Sequence, residues 1–277
     1  MDATTSHQSA TRLRRLENWC QTPETRTADA AAAAHLIDRV GVATLYPVSS
    51  EIPNLFHAYV GDPEAKTDSK WDSPSGHVYT WRWELGKREV AFYAAIVRKK
   101  PTWVSWQLLP AVLRLLGEFR NPSELYEAGA LSAGAYRIAR ALEETDHALS
   151  TGELREAAGF PTGKEQRAAY LKAIAELESR LLIAKVFSPA GDDRDPRHAL
   201  VRRRYPEHVA SAGKLSREAA LDQLLSIYLA AAVDVAPDRL AKDLGIPASE
   251  LRAGIARLSP DRFESGLDVP RCKVTSP

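Results

Sequence analysis

Five arginines fall within eleven residues of this sequence, at Arg194, Arg197, Arg202, Arg203 and Arg204. Guanidinium groups at that density suit a phosphate backbone, because each can meet phosphate oxygens through two parallel hydrogen bonds. The stretch reads as part of a β-hairpin. Alternate side chains of a strand share a face, so Arg202 and Arg204 point one way and Arg203 the other. Lys164 and Arg167 add two cations at the start of a predicted helix, where free backbone N–H groups also favour phosphate. Together with Arg194, Arg197, Arg202 and Arg204 they form the candidate DNA-binding set. The competing reading is a solvated hairpin whose arginines pair with Asp192, Asp193 and Asp195. Two further basic clusters, Arg98-Lys99-Lys100 and Arg12, Arg14 and Arg15, have simpler explanations. The first sits where a helix C-terminus would favour cations, and the second lies in a polar leading segment that could reach a groove as an arm.

Catalytic constellations are sparse. The sequence has no GxSxG, no P-loop, no HExxH and no GxGxxG, and no histidine has an i, i+4 histidine partner that would make a metal-binding helix face. No cofactor or metal is therefore expected. Glu51 and His57 bracket one short segment, and Glu51 is an acid that could serve as a general base. Five of the six tryptophans lie between Trp71 and Trp106. Trp81 and Trp83 read as core residues of one strand face, whereas Trp71, between Lys70 and Asp72 in a polar loop, suits base stacking or a partner contact.

The elements that position these residues are mostly helical. Residues 1–24 read as a polar tail. Thr27 or Asp29 can cap an Ala-rich helix that Gly41 ends, followed by an extended stretch over 42–48 and a short helix over 52–60. The alternation Tyr79, Trp81, Trp83, Leu85 predicts a half-buried strand over 77–85, with helices over 88–100 and 105–118. Beyond that come helices over 133–144, 152–158 and 164–180, then strands over 182–187 and 198–205. That order is the winged helix-turn-helix pattern. A second helix-turn-helix follows over 217–258, with Gly245 at its turn and Ile246, Leu251 and Ile255 as core plugs. The expected fold class is mainly α with small β-hairpins, arranged as tandem winged helix-turn-helix units. The units are a tail over 1–24, an N-terminal winged-helix-like unit over 25–120, a central winged helix over 121–205, a C-terminal helix-turn-helix over 206–264 and a tail over 265–277.

Composition bounds the partners. A chain of 277 residues with 37 Lys and Arg against 36 Asp and Glu carries a formal charge of +1. This excludes a protein that grips a polyanion over its whole surface, though not one with a local basic strip. The two cysteines, Cys20 and Cys272, are too far apart for a CxxC pair or a disulfide framework, and no apolar run is long enough to span a bilayer. A cytoplasmic, non-membrane protein is the expectation, and nothing in the pattern fixes an oligomeric state.

The string from Leu36 through Gly41 to Thr44, Leu45, Tyr46, Pro47 and Val48, with the helix-turn-helix units after it, resembles the YcaQ/AlkZ DNA glycosylase family. The resemblance implies tandem winged helices forming a concave DNA-binding surface, and excision of bulky alkylated or crosslinked bases. In that family a Gln-x-Asp or Gln-x-Gln pair after the first helix is thought to hold and activate water. The matching positions here are Thr44 and Tyr46, neither of which is a base at neutral pH. The expectation is thus a protein that binds double-stranded DNA, intact or damaged, on the glycosylase scaffold without the usual excision motif. The alternatives are a glycosylase with a base from elsewhere, Glu51 being the candidate, and a winged-helix protein-interaction module.

Overall fold

The computed structural model describes residues 3–160, 163–188 and 196–258. The fold is mainly helical with two small antiparallel sheets. Chain order runs α1 (Ala3–Asn18), α2 (Ala30–Val40), β1 (Val42–Thr44), α3 (Leu55–Val60), α4 (Pro74–Lys87), β2 (Phe92–Ala95), β3 (Pro101–Val104), α5 (Leu109–Leu116) and α6 (Pro122–Glu127). It continues with α7 (Ala133–Glu143), α8 (Thr151–Ala157), α9 (Lys164–Ser179), β4 (Ile183–Val186), β5 (Arg197–Leu200), α10 (Val201–Arg204), α11 (Pro206–Lys214), α12 (Arg217–Ala232), α13 (Pro237–Leu244) and α14 (Ala248–Arg257).

Several boundaries follow from local chemistry. Asp29 accepts the Ala32 N–H and caps α2, whose end turns on Gly41 at φ 76°. Gly41 is also pressed close: a Cβ there would meet the Leu108 and Ile227 side chains at 2.8 and 2.9 Å. Ser150 and Glu153 form a capping box at α8, as Asn121 and Glu124 do at α6. Gly245 takes the left-handed conformation between α13 and α14.

One sheet has the order β1-β3-β2, with Ala43 and Tyr93 both opposite Trp103. The other is the β4–β5 hairpin, with Lys185 opposite His198. The apolar residues form two cores. The larger joins α2 to α5, the three-stranded sheet and α12 to α14, and the smaller gathers Leu125 to Leu200 around Ile138, Leu154, Tyr170 and Leu177. The Phe187 ring, part of the larger core, seats on Gly86 of α4, so close that a Cβ on Gly86 would lie 2.1 Å from the ring. Among the described residues, no helix is long and apolar enough to cross a membrane.

The structure corrects four local expectations. Residues 77–85 are helical within α4, because Ser73 caps the helix and Pro74 starts it. The aromatics 79, 81, 83 and 85 alternate, yet Trp81 and Leu85 stand one helical turn apart and both are buried. Residues 88–100 hold β2 and a short 3-10 turn rather than a helix, since an apolar run buried on both faces fits either period. The second hairpin strand stops at Leu200, and Arg202, Arg203 and Arg204 lie on the single turn of α10. The leading segment, read as a polar tail, is helical over most of its length and docks by its end, as described below.

Two predictions follow. Gly86→Ala forces the Phe187 ring to move and is expected to cost about 1–3 kcal/mol in denaturant unfolding, as overpacking does. His198 is buried, and its Nδ1 has no hydrogen-bond partner among the described residues. Burial, aided by Lys185 and opposed by Glu178, lowers its pKa to about 4. The unfolded chain protonates near 6.5, so the stability held by neutral His198 is complete above that pH and is lost as pH falls towards 4. That loss is on the order of 3 kcal/mol. Melting temperature should therefore drop across this window, and His198→Gln should flatten the slope.

Candidate functional site

Two regions hold the residues of interest: the segment leaving β1, and the surface of the β4–β5 unit with α9. In the first, Thr44 ends β1 opposite Thr102 of β3 and bridges in parallel to Asn54. Its N–H donates to Pro53 O at 3.0 Å, and its hydroxyl donates to Tyr46 O at 2.8 Å. Thr44 is fully buried, so its side chain ties down the turn that follows it.

Tyr46 is half-buried, and its hydroxyl donates to the Ser75 carbonyl in the first turn of α4 at 2.8 Å. Burial raises its pKa above the ordinary tyrosine value, with Tyr79 and Asp68 adding to the shift and Arg82 opposing it. Tyr46 is therefore a protonated donor at neutral pH, already committed to a carbonyl. Asn54 caps α3 through the His57 N–H, and its Nδ2 lies 3.1 Å from His57 Nδ1. His57 Nε2 lies 3.1 Å from Ala65 O. A carbonyl can only accept, so Nε2 carries the proton and Nδ1 accepts from Asn54. Both ring nitrogens are thus occupied.

Glu51 is buried at the centre of four segments. Its Oε2 accepts the Ala236 N–H at 3.2 Å ahead of α13 and lies 3.3 Å from the Tyr228 hydroxyl of α12. That hydroxyl donates to Glu51 O at 2.8 Å. Arg15 of α1 and Arg239 of α13 each bring a guanidinium nitrogen within 3.7 Å of the carboxylate. Burial, with Glu51 as its neighbour, pushes the Tyr228 phenol well above its ordinary value, so it remains a donor. Arg15 also donates through Nε to Ala232 O at 2.8 Å and through Nη2 to Asp234 O, while Asn18 donates to Ala231 O. The end of α1 thus satisfies carbonyls that the last turn of α12 leaves open. Neither Tyr228 nor Arg239 stands out in the sequence, because nothing local links them to Glu51.

In the second region the arginines separate into paired and unpaired groups. Arg202 meets Glu143 of α7, and Arg204 meets Glu89 beyond α4. Arg203 donates to the carbonyls of Leu142, Glu143 and Thr145 and so closes the C-terminus of α7. Arg197 reaches Glu153 Oε2 at 3.1 Å and Ala148 O at 3.2 Å. Arg194, with Asp192, Asp193 and Asp195, lies outside the described residues, as do Cys272 and the expected tail over 265–277.

Lys164 and Arg167 are different. From Gly163 to Lys172 every residue of this stretch except Tyr170 is exposed. Lys164, Arg167 and Lys172 make no ion pair among the described residues. Gly163 offers no side-chain cap, so the first N–H groups of α9 face outward unclaimed by one. Among the described residues, no three His, Cys, Asp or Glu side chains group as metal ligands would.

A sequence profile of a family described as AlkZ related matches residues 27–245. No curated protein matches the chain. Among solved structures, the Streptomyces sahachiroi DNA glycosylase AlkZ is similar in fold, with a TM-score of 0.51 and 12% identity. The likeness covers 89% of this chain, which spans 65% of the length of that one.

The Glu51 cluster sets a measurable expectation. Glu51→Ala should cost about 3 kcal/mol, the low end for removing one partner of a buried ion pair, because Arg239 can still turn to water. Tyr228→Phe should cost about 1 kcal/mol, as the loss of one hydrogen bond does. Urea unfolding of both variants checks the order, and a Glu51→Ala loss no larger than that of Tyr228→Phe would remove the carboxylate from its central place.

Proposed function

The chain belongs to the AlkZ-related family, and on that footing we propose that it is a DNA-binding protein using the glycosylase scaffold with little or no base excision of its own. The observation that carries this reading is the free N-terminal half of α9. Lys164, Arg167 and Lys172 stand on one helix with exposed small residues, Ala168 and Ala169, between them. Small side chains let a helix approach a groove closely, and unpaired cations beside an uncapped helix start suit phosphate.

In this reading residues 121–205 are a winged helix in which α8 and α9 are the helix-turn-helix and β4–β5 the wing. Residues 206–264 are a second helix-turn-helix unit, and residues 25–120 are the N-terminal winged-helix-like unit. Double-stranded DNA is the partner. Arg202 and Arg204 lean structural, since each already has a carboxylate, and Arg197 is engaged beside them.

The same geometry argues against turnover. Hydrolysing an N-glycosidic bond needs a base within reach of a water. Thr44 donates its hydroxyl to a carbonyl inside the core, Tyr46 donates to Ser75 O, and both nitrogens of His57 are taken. Glu51 is the nearby carboxylate, and it is enclosed by Tyr228, Ala236, Arg15 and Arg239.

Anisotropy titrations with a duplex test the proposal. Three phosphate contacts predict a log–log salt slope of about −2.7, which is roughly a 40-fold loss of affinity between 50 and 200 mM salt. Lys164→Ala, Arg167→Ala and Lys172→Ala should each reduce that slope by about one. Arg202→Ala with Arg204→Ala should lower stability and leave the slope unchanged. Duplex carrying a bulky N7-alkylpurine should show no lesion-dependent nicking after alkali. Absence of binding at 50 mM salt would leave the protein-interaction reading, and nicking that Glu51→Gln abolishes would restore a glycosylase.

A further inference from the structure

Trp71 is the most exposed large apolar side chain described, at 59%. Its loop is nevertheless tightly fixed. The Asp68 carboxylate accepts the Ser73 hydroxyl at 2.7 Å and the Lys70 N–H at 2.9 Å, and the Asp68 N–H donates to Ser75 Oγ at 3.0 Å. The Trp71 carbonyl presses on Gly76 so closely that a Cβ there would lie 1.8 Å from it. An indole held in water by a fixed loop loses the gain of burial without recovering chain entropy, which marks it as a contact surface.

The ring does not stand alone. Tyr79 and Trp83 of α4 lie beside it, with centroids 5.8 and 6.3 Å away, and pack edge to face on each other at 5.0 Å. Arg82 lies over the Tyr79 ring at 4.4 Å and the Trp83 ring at 4.9 Å, and donates to the Tyr79 hydroxyl at 3.0 Å. Its Nε is buried and has no hydrogen-bond partner among the described residues. Tyr79, Arg82 and Trp83 share one face of α4 because they stand three and four residues apart. This group adjoins Tyr46, whose hydroxyl is bonded to Ser75 in the same helix and feels the charges of Arg82 and Asp68.

We propose that Trp71, Tyr79, Trp83 and Arg82 form a stacking surface for a nucleobase standing outside the duplex stack, next to Tyr46. The inference rests on the DNA-binding reading above and adds a base-recognition element to it. Two features select a base over an apolar peptide. The exposed group is an aromatic ring rather than an aliphatic groove, and a guanidinium lies over the two rings beside it. The loop also carries Asp68 and Asp72, and Arg82 is the charged group that lies over the rings themselves. The patch also adjoins the segment leaving β1, because Tyr46 is bonded to Ser75 of the same helix.

The experiment compares a fully paired duplex with the same duplex carrying a single-nucleotide bulge, by anisotropy at one salt concentration. The full chain is expected to prefer the bulge by about 5- to 100-fold, the range that stacking one base on an aromatic side chain gives. Trp71→Ala should abolish the preference and leave the paired-duplex affinity unchanged, while Trp71→Phe should keep most of it. Equal affinity of the unmodified chain for both duplexes would overturn the stacking surface and leave the α9 reading intact. A Trp71→Ala loss equal on both duplexes would also overturn it, because the residue would then act as a general contact. Binding to neither duplex would overturn both.

Discussion

Burying a carboxylate is costly unless its oxygens are met, and the placement of Glu51 organises this molecule around meeting them. A phenol from α12, an N–H from the start of α13 and guanidinium groups from α1 and α13 converge on one side chain. These elements come from the two ends of the described chain, and Glu51 lies on the loop that follows β1. The loop that carries Thr44 and Tyr46 is therefore held by residues far from it in sequence. The same enclosure removes from Glu51 the open lone pairs that a general base uses.

Charge follows a similar logic elsewhere. The net +1 leaves few cations in excess, and the structure spends most of the conspicuous ones on its own framework. Arg203 closes a helix end, Arg202 and Arg204 join α10 to α7 and to the strand region, and Arg98 meets the buried Asp243 at 2.5 Å. What a run of arginines does thus depends on which carboxylates lie near it. The cations of α9 differ in making no ion pair among the described residues.

Local signals in the sequence located elements well where one short-range interaction decides the outcome. The cap at Asp29, the turns at Gly41 and Gly245, and the helices over 133–144 and 164–180 are of this kind. Two kinds of information were not legible. In α4 a string of aromatics reads as period two, although burial selects only Trp81 and Leu85, and the cap at Ser73 decides the helix. The Arg202–Arg204 turn and the Glu51 cluster depend on contacts between residues up to 188 positions apart, which no window of sequence contains. For the same reason Tyr46 was found as a position, while its hydrogen bond to Ser75 O, 29 residues on, was not.

The docking of α1 has a consequence for how the chain is made. Arg15 donates to a carbonyl 217 residues further along, and Asn18 to one 213 residues further along. During synthesis this helix emerges well before its seat, which exists only once α12 has left the ribosome. Short-range pieces such as the α7–α9 unit can settle early, whereas the closing contact between the two ends carries a large loop-closure entropy and comes late. Until then the largely apolar α12 and the carbonyls at its end are open to chaperones and proteases.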